Sequence, residues 1–150
     1  MSKIAALTDH LGYWLRQVSN HVSQSFARKL AAEDVTVAEW VLLRVLYDEP
    51  SMAPSRIAET MGFTRGAVTK LADRLIAKDL VVRAADPEDG RAQTLALTAK
   101  GRQCAPKLAA LADQNDAECF GYLTNHDRRA LRQILEDIVA RLALDSIPIE

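Results

Sequence analysis

The chain has 150 residues, a formal net charge of −1 and an apolar fraction of 49%. These values are typical of one globular domain with or without added helices, and they exclude disordered, collagen-like and disulfide-scaffold proteins. No run approaches the roughly 18 apolar residues of a membrane span, the N-terminus does not resemble a secretory signal, and two cysteines suit the reducing cytoplasm, where we expect the protein. The near-neutral charge argues at first against a nucleic-acid partner.

In chain order the sequence predicts four helices, a two-stranded hairpin and two more helices. Apolar residues recur every three or four positions from Leu7 to Leu30, which indicates one apolar face on a long first helix. The later helix starts are marked by caps or by proline. The second helix follows the capping box Thr36–Glu39, the third begins at Pro54, and the others follow Thr64, Thr98 and Thr124.

The period of the pattern changes after residue 78. Leu80–Arg83 and Gln93–Leu97 are strand candidates, and the second alternates polar and apolar residues. Asp86–Arg91 lies between them and contains Asp-Pro and Asp-Gly pairs, which favour turns. The predicted fold class is therefore mainly α, with a small β-hairpin.

Residues 54–71 carry the most informative pattern. Ala58 is small enough for a second helix to cross close above it, and Gly62 can adopt the positive φ of a sharp turn. Val68 can then pack back between the two helices. This spacing indicates a helix-turn-helix, whose second helix enters the DNA major groove. The pattern alone leaves open a helical protein that binds no DNA.

The second helix of this motif supplies the predicted base and phosphate contacts. Arg65 can bond a guanine through two N–H groups, Thr69 offers a hydroxyl or a methyl group, and Lys70 can reach a guanine or a phosphate. Small residues beside them permit close approach. The predicted contact residues of this helix are Thr64, Arg65, Gly66, Ala67, Thr69, Lys70 and Arg74.

A helix-turn-helix followed directly by a hairpin with a basic tip describes a winged helix. The predicted DNA contacts of the wing are Asp89, Gly90 and Arg91. Arg91 would lie against a minor-groove edge or a phosphate. A structural salt bridge from Arg91 to Asp73 is the alternative, and the two roles are compatible.

Net charge divides along the chain. Residues 54–102 contain nine Lys or Arg and six Asp or Glu, a net charge of +3, whereas the remainder contains ten and fourteen, a net charge of −4. A modest excess of this size can arise by chance. It nevertheless predicts a basic DNA-reading lobe on an acidic scaffold, which the whole-chain charge conceals.

From Trp40 to Gly101 the sequence resembles the MarR family of bacterial transcription regulators. The matching elements, in order, are Leu71–Leu75, Lys78–Val81, Asp86–Arg91 with the wing motif Asp-x-Arg, and Leu95–Gly101. Asp79 departs from the glycine that is common at its position. The resemblance implies a homodimeric winged-helix protein, usually a repressor, that is often released from DNA by a small anionic or phenolic effector or by cysteine oxidation.

The terminal helices carry apolar stripes that a small winged-helix core cannot cover. Residues 1–35 and 102–150 are therefore predicted to form a helical dimerisation region, and residues 36–101 the winged helix-turn-helix lobe. A two-fold homodimer would match a near-palindromic operator on double-stranded DNA, with half-sites about 10 base pairs apart. The alternative is that the stripes fold back within one chain.

A small aromatic or anionic effector is expected between the dimerisation region and the DNA lobe. Aromatic rings and a cation suit such a ligand. The candidate residues are His10, Tyr13, Trp14, Trp40 and Arg44. Each of them also has a plain role in packing or ion pairing.

The two cysteines allow a redox alternative. Cys104 and Cys119 lie on one predicted helix, about 22 Å apart, which excludes an internal disulfide. A regulator of the same fold could therefore sense oxidants through one cysteine or through cysteines of two chains in a dimer. Packing as small apolar residues is the simpler role.

Motifs of enzyme chemistry are absent from the sequence. The three histidines have no metal-ligand spacing such as H-E-x-x-H, and no phosphate loop or nucleophile elbow occurs. We therefore expect no enzyme activity, no metal and no cofactor. The rival function is a winged-helix protein-interaction module without DNA binding, but the basic residues Arg65, Lys70 and Arg91 argue against it.

Overall fold

The structure, a computed structural model, describes residues 3–149. The predicted order of helices and hairpin is confirmed. The elements are α1 (Leu11–Ala31), α2 (Val37–Tyr47), α3 (Pro54–Met61), α4 (Arg65–Ala77), β1 (Val81–Ala85), β2 (Gln93–Leu97), α5 (Ala99–Phe120) and α6 (Asn125–Arg141). No helix among these residues is long and apolar enough to cross a membrane.

The first helix begins later than predicted. A single 3₁₀ turn, Leu7–Asp9, precedes it, and His10 is extended, with φ −99° and ψ 131°. The Asp9 carboxylate accepts a hydrogen bond from the Ala6 amide at 2.8 Å. Such a local side-chain bond stabilises a separate turn and competes with continuous helix.

Threonine side chains start four helices, as predicted. The hydroxyls of Thr36, Thr64, Thr98 and Thr124 each accept a hydrogen bond from the amide three residues later, at 3.0–3.1 Å. Each cap contributes about 1 kcal/mol to helix stability. Pro54 occupies the start of α3, where its missing N–H leaves no bond unmade.

The helix-turn-helix has the predicted geometry. Gly62 ends α3 in the left-handed region, with φ 71°, and the Phe63 amide donates to the Ala58 carbonyl at 2.8 Å. Ala58 is 5% exposed, and Val68 is fully buried between the two helices. Together these contacts fix the direction in which α4 leaves the turn.

The two strands form an antiparallel hairpin next to this motif. Val81 pairs with Leu97, and Ala85 with Gln93. Met52, just before α3, exchanges two backbone hydrogen bonds with Leu95 on β2, at 2.9 and 2.8 Å. The hairpin is thereby tied to the start of the helix-turn-helix.

The core lies among α2, α3, α4, the hairpin and part of α5. Its fully buried side chains include Leu42, Leu46, Ile57, Leu75 and Leu108. In contrast, the early turns of α1 and the whole of α6 leave large apolar side chains exposed. They are Leu11, Trp14, Leu15, Val18, Leu131, Ile134, Leu135, Ile138 and Val139.

Candidate nucleic-acid interface

Helix α4 separates an apolar face from a basic face. Val68, Leu71 and Leu75 are buried against the core, at a spacing that follows one side of the helix. The basic residues of the other side are exposed and form no ion pair within residues 3–149; these are Arg65, Lys70 and Arg74. Three exposed, unneutralised cations on one helix suit a polyanionic partner.

The first turn of α4 leaves two amides available. Thr64 accepts the Ala67 amide at 3.1 Å, whereas the amides of Arg65 and Gly66 have no acceptor in the described part of the chain. Free amides at a helix N-terminus bind phosphate oxygens, and the helix dipole adds to the attraction.

Thr69 offers less than its residue type allows. Its hydroxyl donates to the Arg65 carbonyl at 3.0 Å. The oxygen therefore remains as an acceptor, and the methyl group remains for an apolar contact. An acceptor suits the exocyclic amino group of adenine or cytosine, and a methyl group suits thymine.

Gly66 has no packing reason to be glycine. A Cβ atom built on it would meet only the Thr64 Oγ1, at an ordinary distance of 3.9 Å. Glycine inside a helix costs about 0.5–1 kcal/mol relative to alanine. The absence of any internal obstacle agrees with a role in which a partner approaches the backbone closely.

The tip of the hairpin is shaped by its own aspartates. Asp89 Oδ1 accepts the Arg91 amide at 3.1 Å, and Asp86 Oδ1 accepts the Glu88 amide at 2.9 Å. The Arg91 side chain is exposed and forms no ion pair among the residues described. Asp89 therefore shapes the turn, while Arg91 is available to a partner.

The salt bridge predicted as the alternative for Arg91 is wrong. Asp73 pairs with Arg83 instead, with 2.5 Å between Nη2 and Oδ1. The reason is geometric, because β1 starts four residues after the end of α4 and its third residue lies beside the helix. Arg91 lies farther along the chain, near the tip.

A second feature is an apolar pocket of about 280 Å³ between α1, α2 and α5. Phe26 and Trp40 supply aromatic walls, and Asn115 and Asp116 supply polar atoms. The remaining lining residues are Val22, Ser23, Val37, Val41, Ala112 and Pro148. No lysine, arginine or histidine lines this pocket among the residues described.

Comparison with known proteins relates this geometry to a family. The MarR family profile matches residues 33–92, which hold α2, the helix-turn-helix and the hairpin up to its tip. An HTH-type transcriptional repressor of Mycobacterium tuberculosis is 28% identical over 128 residues, which cover 85% of this chain and 92% of the repressor. Residues 33–92 of the chain are therefore similar to the MarR family.

Solved structures of MarR-type proteins share the fold. CouR from Rhodococcus jostii, bound to p-coumaroyl-CoA, is 26% identical with a TM-score of 0.76, over 90% of this chain and 95% of CouR. A MarR variant from Escherichia coli, complexed with operator DNA, is 23% identical with a TM-score of 0.75, over 86% of this chain and 93% of its own. The MarR family and the mycobacterial repressor are transcriptional regulators, not enzymes.

The five predicted effector residues do not line one common pocket. Trp40 lines the apolar pocket, whereas His10 and Tyr13 line a separate groove on α1. Trp14 is 54% exposed, and Arg44 pairs with Asp48 at 2.8 Å. Apart from Trp40, none of the pocket residues was predicted as an effector contact, and the unpredicted ones include Val22, Phe26, Asn115 and Asp116. Phe26 looked like one more residue of an apolar helix face.

Asn115 belongs to a polar network that joins α1 to α5. Its Oδ1 accepts from Lys29 at 3.0 Å, and its Nδ2 donates to the Val22 carbonyl at 3.2 Å. Lys29 also pairs with Glu118 at 2.7 Å, which lowers the pKa of that carboxyl. These bonds hold the wall of the pocket in one geometry.

A buried ion pair fixes the C-terminal end of α4. Glu39 is 1% exposed, and its carboxylate lies 3.0 Å from the ammonium group of Lys78, which follows α4. Burial acts to raise the pKa of Glu39, but hydrogen bonds from Lys78 and Thr36 outweigh burial and leave the pKa below its usual value. The sequence indicated only the capping role of Glu39.

The cysteines are free and half-buried, and both lie on α5. Burial, with the negative charge of Glu33, raises the pKa of the Cys104 thiol above its usual value. A raised pKa reduces the thiolate that reacts with oxidants. Cys104 also packs against the buried core.

Proposed function

We propose that this protein is a homodimeric cytoplasmic repressor of the MarR family that binds a near-palindromic operator. In this proposal residues 36–101 form the DNA lobe, with α4 in the major groove and Arg91 in the minor groove, and residues 1–35 and 102–150 form the dimerisation region. The observation that carries it is the basic, unpaired face of α4 with open space above Gly66. The complex of Escherichia coli MarR with operator DNA supports the same use of the fold.

A second copy of the chain is the partner that the terminal helices require. Leu11 is 88% exposed on α1, and Ile134 is 56% exposed on α6. Contiguous apolar surface of this kind marks an interface in soluble proteins. A two-fold pairing of α1 and α6 covers the surface and sets two α4 helices side by side for two half-sites.

The pocket favours a neutral aromatic effector with an N–H or O–H donor. Phe26 and Trp40 suit an aromatic ring, and Asn115 and Asp116 offer oxygens that accept hydrogen bonds. A carboxylate would face Asp116, whose Oδ2 already pairs with Arg128 at 2.9 Å, and no basic residue among those described lines the pocket to bind the added charge. CouR, a relative, is bound to p-coumaroyl-CoA, which supports an aromatic ligand for this fold.

DNA binding is tested with fragments that the full-length protein selects from its own genome. We expect affinity to fall steeply as salt rises, because phosphate contacts release counterions. Arg65→Ala should lose about 1–3 kcal/mol and relax the preference at one base pair per half-site. Arg28→Ala removes the same charge from exposed α1 and is the matched control. Absence of binding to every fragment would disprove the proposal.

Effector binding is tested through Trp40. The chain has two tryptophans, so Trp14→Phe leaves Trp40 as the only indole. Phenol should change the fluorescence of this variant, whereas benzoate should do so much less. The reciprocal variant, Trp40→Phe, should show no change with phenol. An equal response to benzoate would show that the site accepts anions and contradict the neutral-ligand proposal.

A further inference from the structure

The segment after α6 returns to the DNA lobe. We call residues 142–149 the tail. The Leu144 amide donates to the Val139 carbonyl at 3.0 Å and ends the helix. Farther on, the Ile147 amide donates to the Met61 carbonyl at 3.3 Å, and Ile147 and Ile149 pack against the buried core. The tail thus connects the end of α6 with the end of α3.

The tail fits against the turn of the helix-turn-helix with no room to spare. A Cβ atom on Gly62 would lie 2.8 Å from the Ser146 Oγ and 2.9 Å from the Ser146 Cα. Gly62 therefore has two reasons to be glycine, its positive φ of 71° and the backbone of the tail. A Cβ at this position would push the tail away.

The tail also reaches the apolar pocket between α1, α2 and α5. Pro148 lines the pocket together with Phe26 and Trp40. Its neighbour Ile147 satisfies the Met61 carbonyl, one of the last carbonyls of α3, which have no partner inside the helix. Two adjacent residues of the tail therefore contact the pocket and the end of α3.

We propose that the tail is a strap that holds the turn between α3 and α4, with Ser146 and Ile147 as its positioning residues. Ligand in the pocket displaces Pro148, lifts Ile147 from Met61 and loosens the recognition helix. The strap rests on the contacts above, and only its response to ligand rests on the proposed function. Seated and released tails are the two states that the ligand selects between.

A double-mutant cycle tests the strap in the full chain. Ile147→Glu should release the tail, while Ile147→Val should keep it seated. Gly62→Ala should also expel the tail. Each single variant then loses the free energy of the tail contacts, whereas the double variant loses it only once. We expect the combined loss in urea unfolding to be smaller than the two single losses added. Additive losses would overturn the strap.

Amide exchange gives a second measure that does not need Gly62→Ala to fold. The Phe63 amide, bonded to the Ala58 carbonyl within the turn, should exchange about tenfold faster in Ile147→Glu than in Ile147→Val, because the turn opens locally. Equal exchange in these two variants would show that the tail does not hold the turn.

DNA binding tests the ligand response. The unmodified protein should release its selected fragment when phenol is added, and Ile147→Glu should bind the fragment about tenfold more weakly and lose most of the phenol response. An unchanged phenol response in Ile147→Glu overturns the link from pocket to strap. If the unmodified protein binds no fragment, the proposed function fails, and the unfolding cycle decides the strap on its own.

Discussion

The ammonium group of Lys78 lies 3.0 Å from the carboxylate of Glu39, and the same ammonium group donates to the Asp34 carbonyl at 2.6 Å. The C-terminal end of α4 is thus bonded to the start of α2 and to the loop before it. Glu39 is 1% exposed and the Lys78 side chain 28%. A pair this buried is costly to break from one side, because the remaining charge stays out of water.

Lys78→Met should destabilise the fold by about 3 kcal/mol at pH 7, near the low end for a buried pair because water reaches Lys78. The lowered pKa of Glu39 means that its contribution to stability is present above the ordinary pKa of an unfolded glutamate and is lost as pH falls through the lower folded value. In the variant, burial of Glu39 opposes its ionisation without Lys78 to offset it, so we expect protonation of the carboxyl to relieve the loss.

Urea unfolding at several pH values checks this prediction. The difference between Lys78→Met and the unmodified chain should be large at pH 7 and should shrink near pH 4. Lys107→Met, which removes an exposed lysine of α5, is the control and should change little. A difference that stays constant with pH would show that the pair does not titrate as described.

Gly66→Ala should change the stability of the fold and the affinity for DNA in opposite directions. The space around Gly66 admits a Cβ, so the free energy of unfolding of the variant should rise by about 0.5–1 kcal/mol. If DNA approaches this backbone, the same methyl group should weaken operator binding. Urea unfolding and fluorescence anisotropy on one fragment measure the two effects. Unchanged DNA affinity in a stabilised variant would place Gly66 outside the interface.

The features predicted correctly are local in sequence. The Thr64 hydroxyl accepts a hydrogen bond from the Ala67 amide, only three residues away. The turn at Gly62 follows from that glycine and from a small residue four positions before it. Such bonds depend on backbone geometry that neighbours in the chain determine. The order of the elements followed from the same local patterns of caps, periodicity and turns.

The features that were missed depend on the path of the chain in space. Nothing near Glu39 in the sequence indicates Lys78, and the partner of Asp73 changed from Arg91 to Arg83 once the hairpin direction was known. The tail is the extreme case, because Ile147 and Met61 are bonded across most of the chain. No periodicity or motif marks such a contact.

Asp89 should act on DNA through the shape of the wing. Its Oδ1 accepts the Arg91 amide at 3.1 Å. Asp89→Asn keeps an acceptor oxygen and should retain operator affinity, whereas Asp89→Ala removes it and should weaken binding by misplacing Arg91. Anisotropy titrations of both variants and of Arg91→Ala on one fragment decide this. If Asp89→Ala and Asp89→Asn bind equally, the turn does not depend on this bond.

A charge placed on α6 should separate the chains of a dimer. Leu135 is 40% exposed and Ile138 is 44% exposed, and they lie on one face of the helix. Leu135→Glu would bury a carboxylate against apolar side chains of the second copy, which costs several kcal/mol without a partner charge. Sedimentation should show a dimer for the unmodified protein and a monomer for the variant.

The control is Gln133→Glu, which places an equal charge nearby on exposed α6, where Gln133 bonds Asp137 at 3.2 Å. We expect the Leu135→Glu monomer to keep its normal helix content. Its operator affinity should be at least tenfold weaker than that of the unmodified protein, because the two half-sites are then bound independently. A dimer that survives Leu135→Glu would place the interface on another surface.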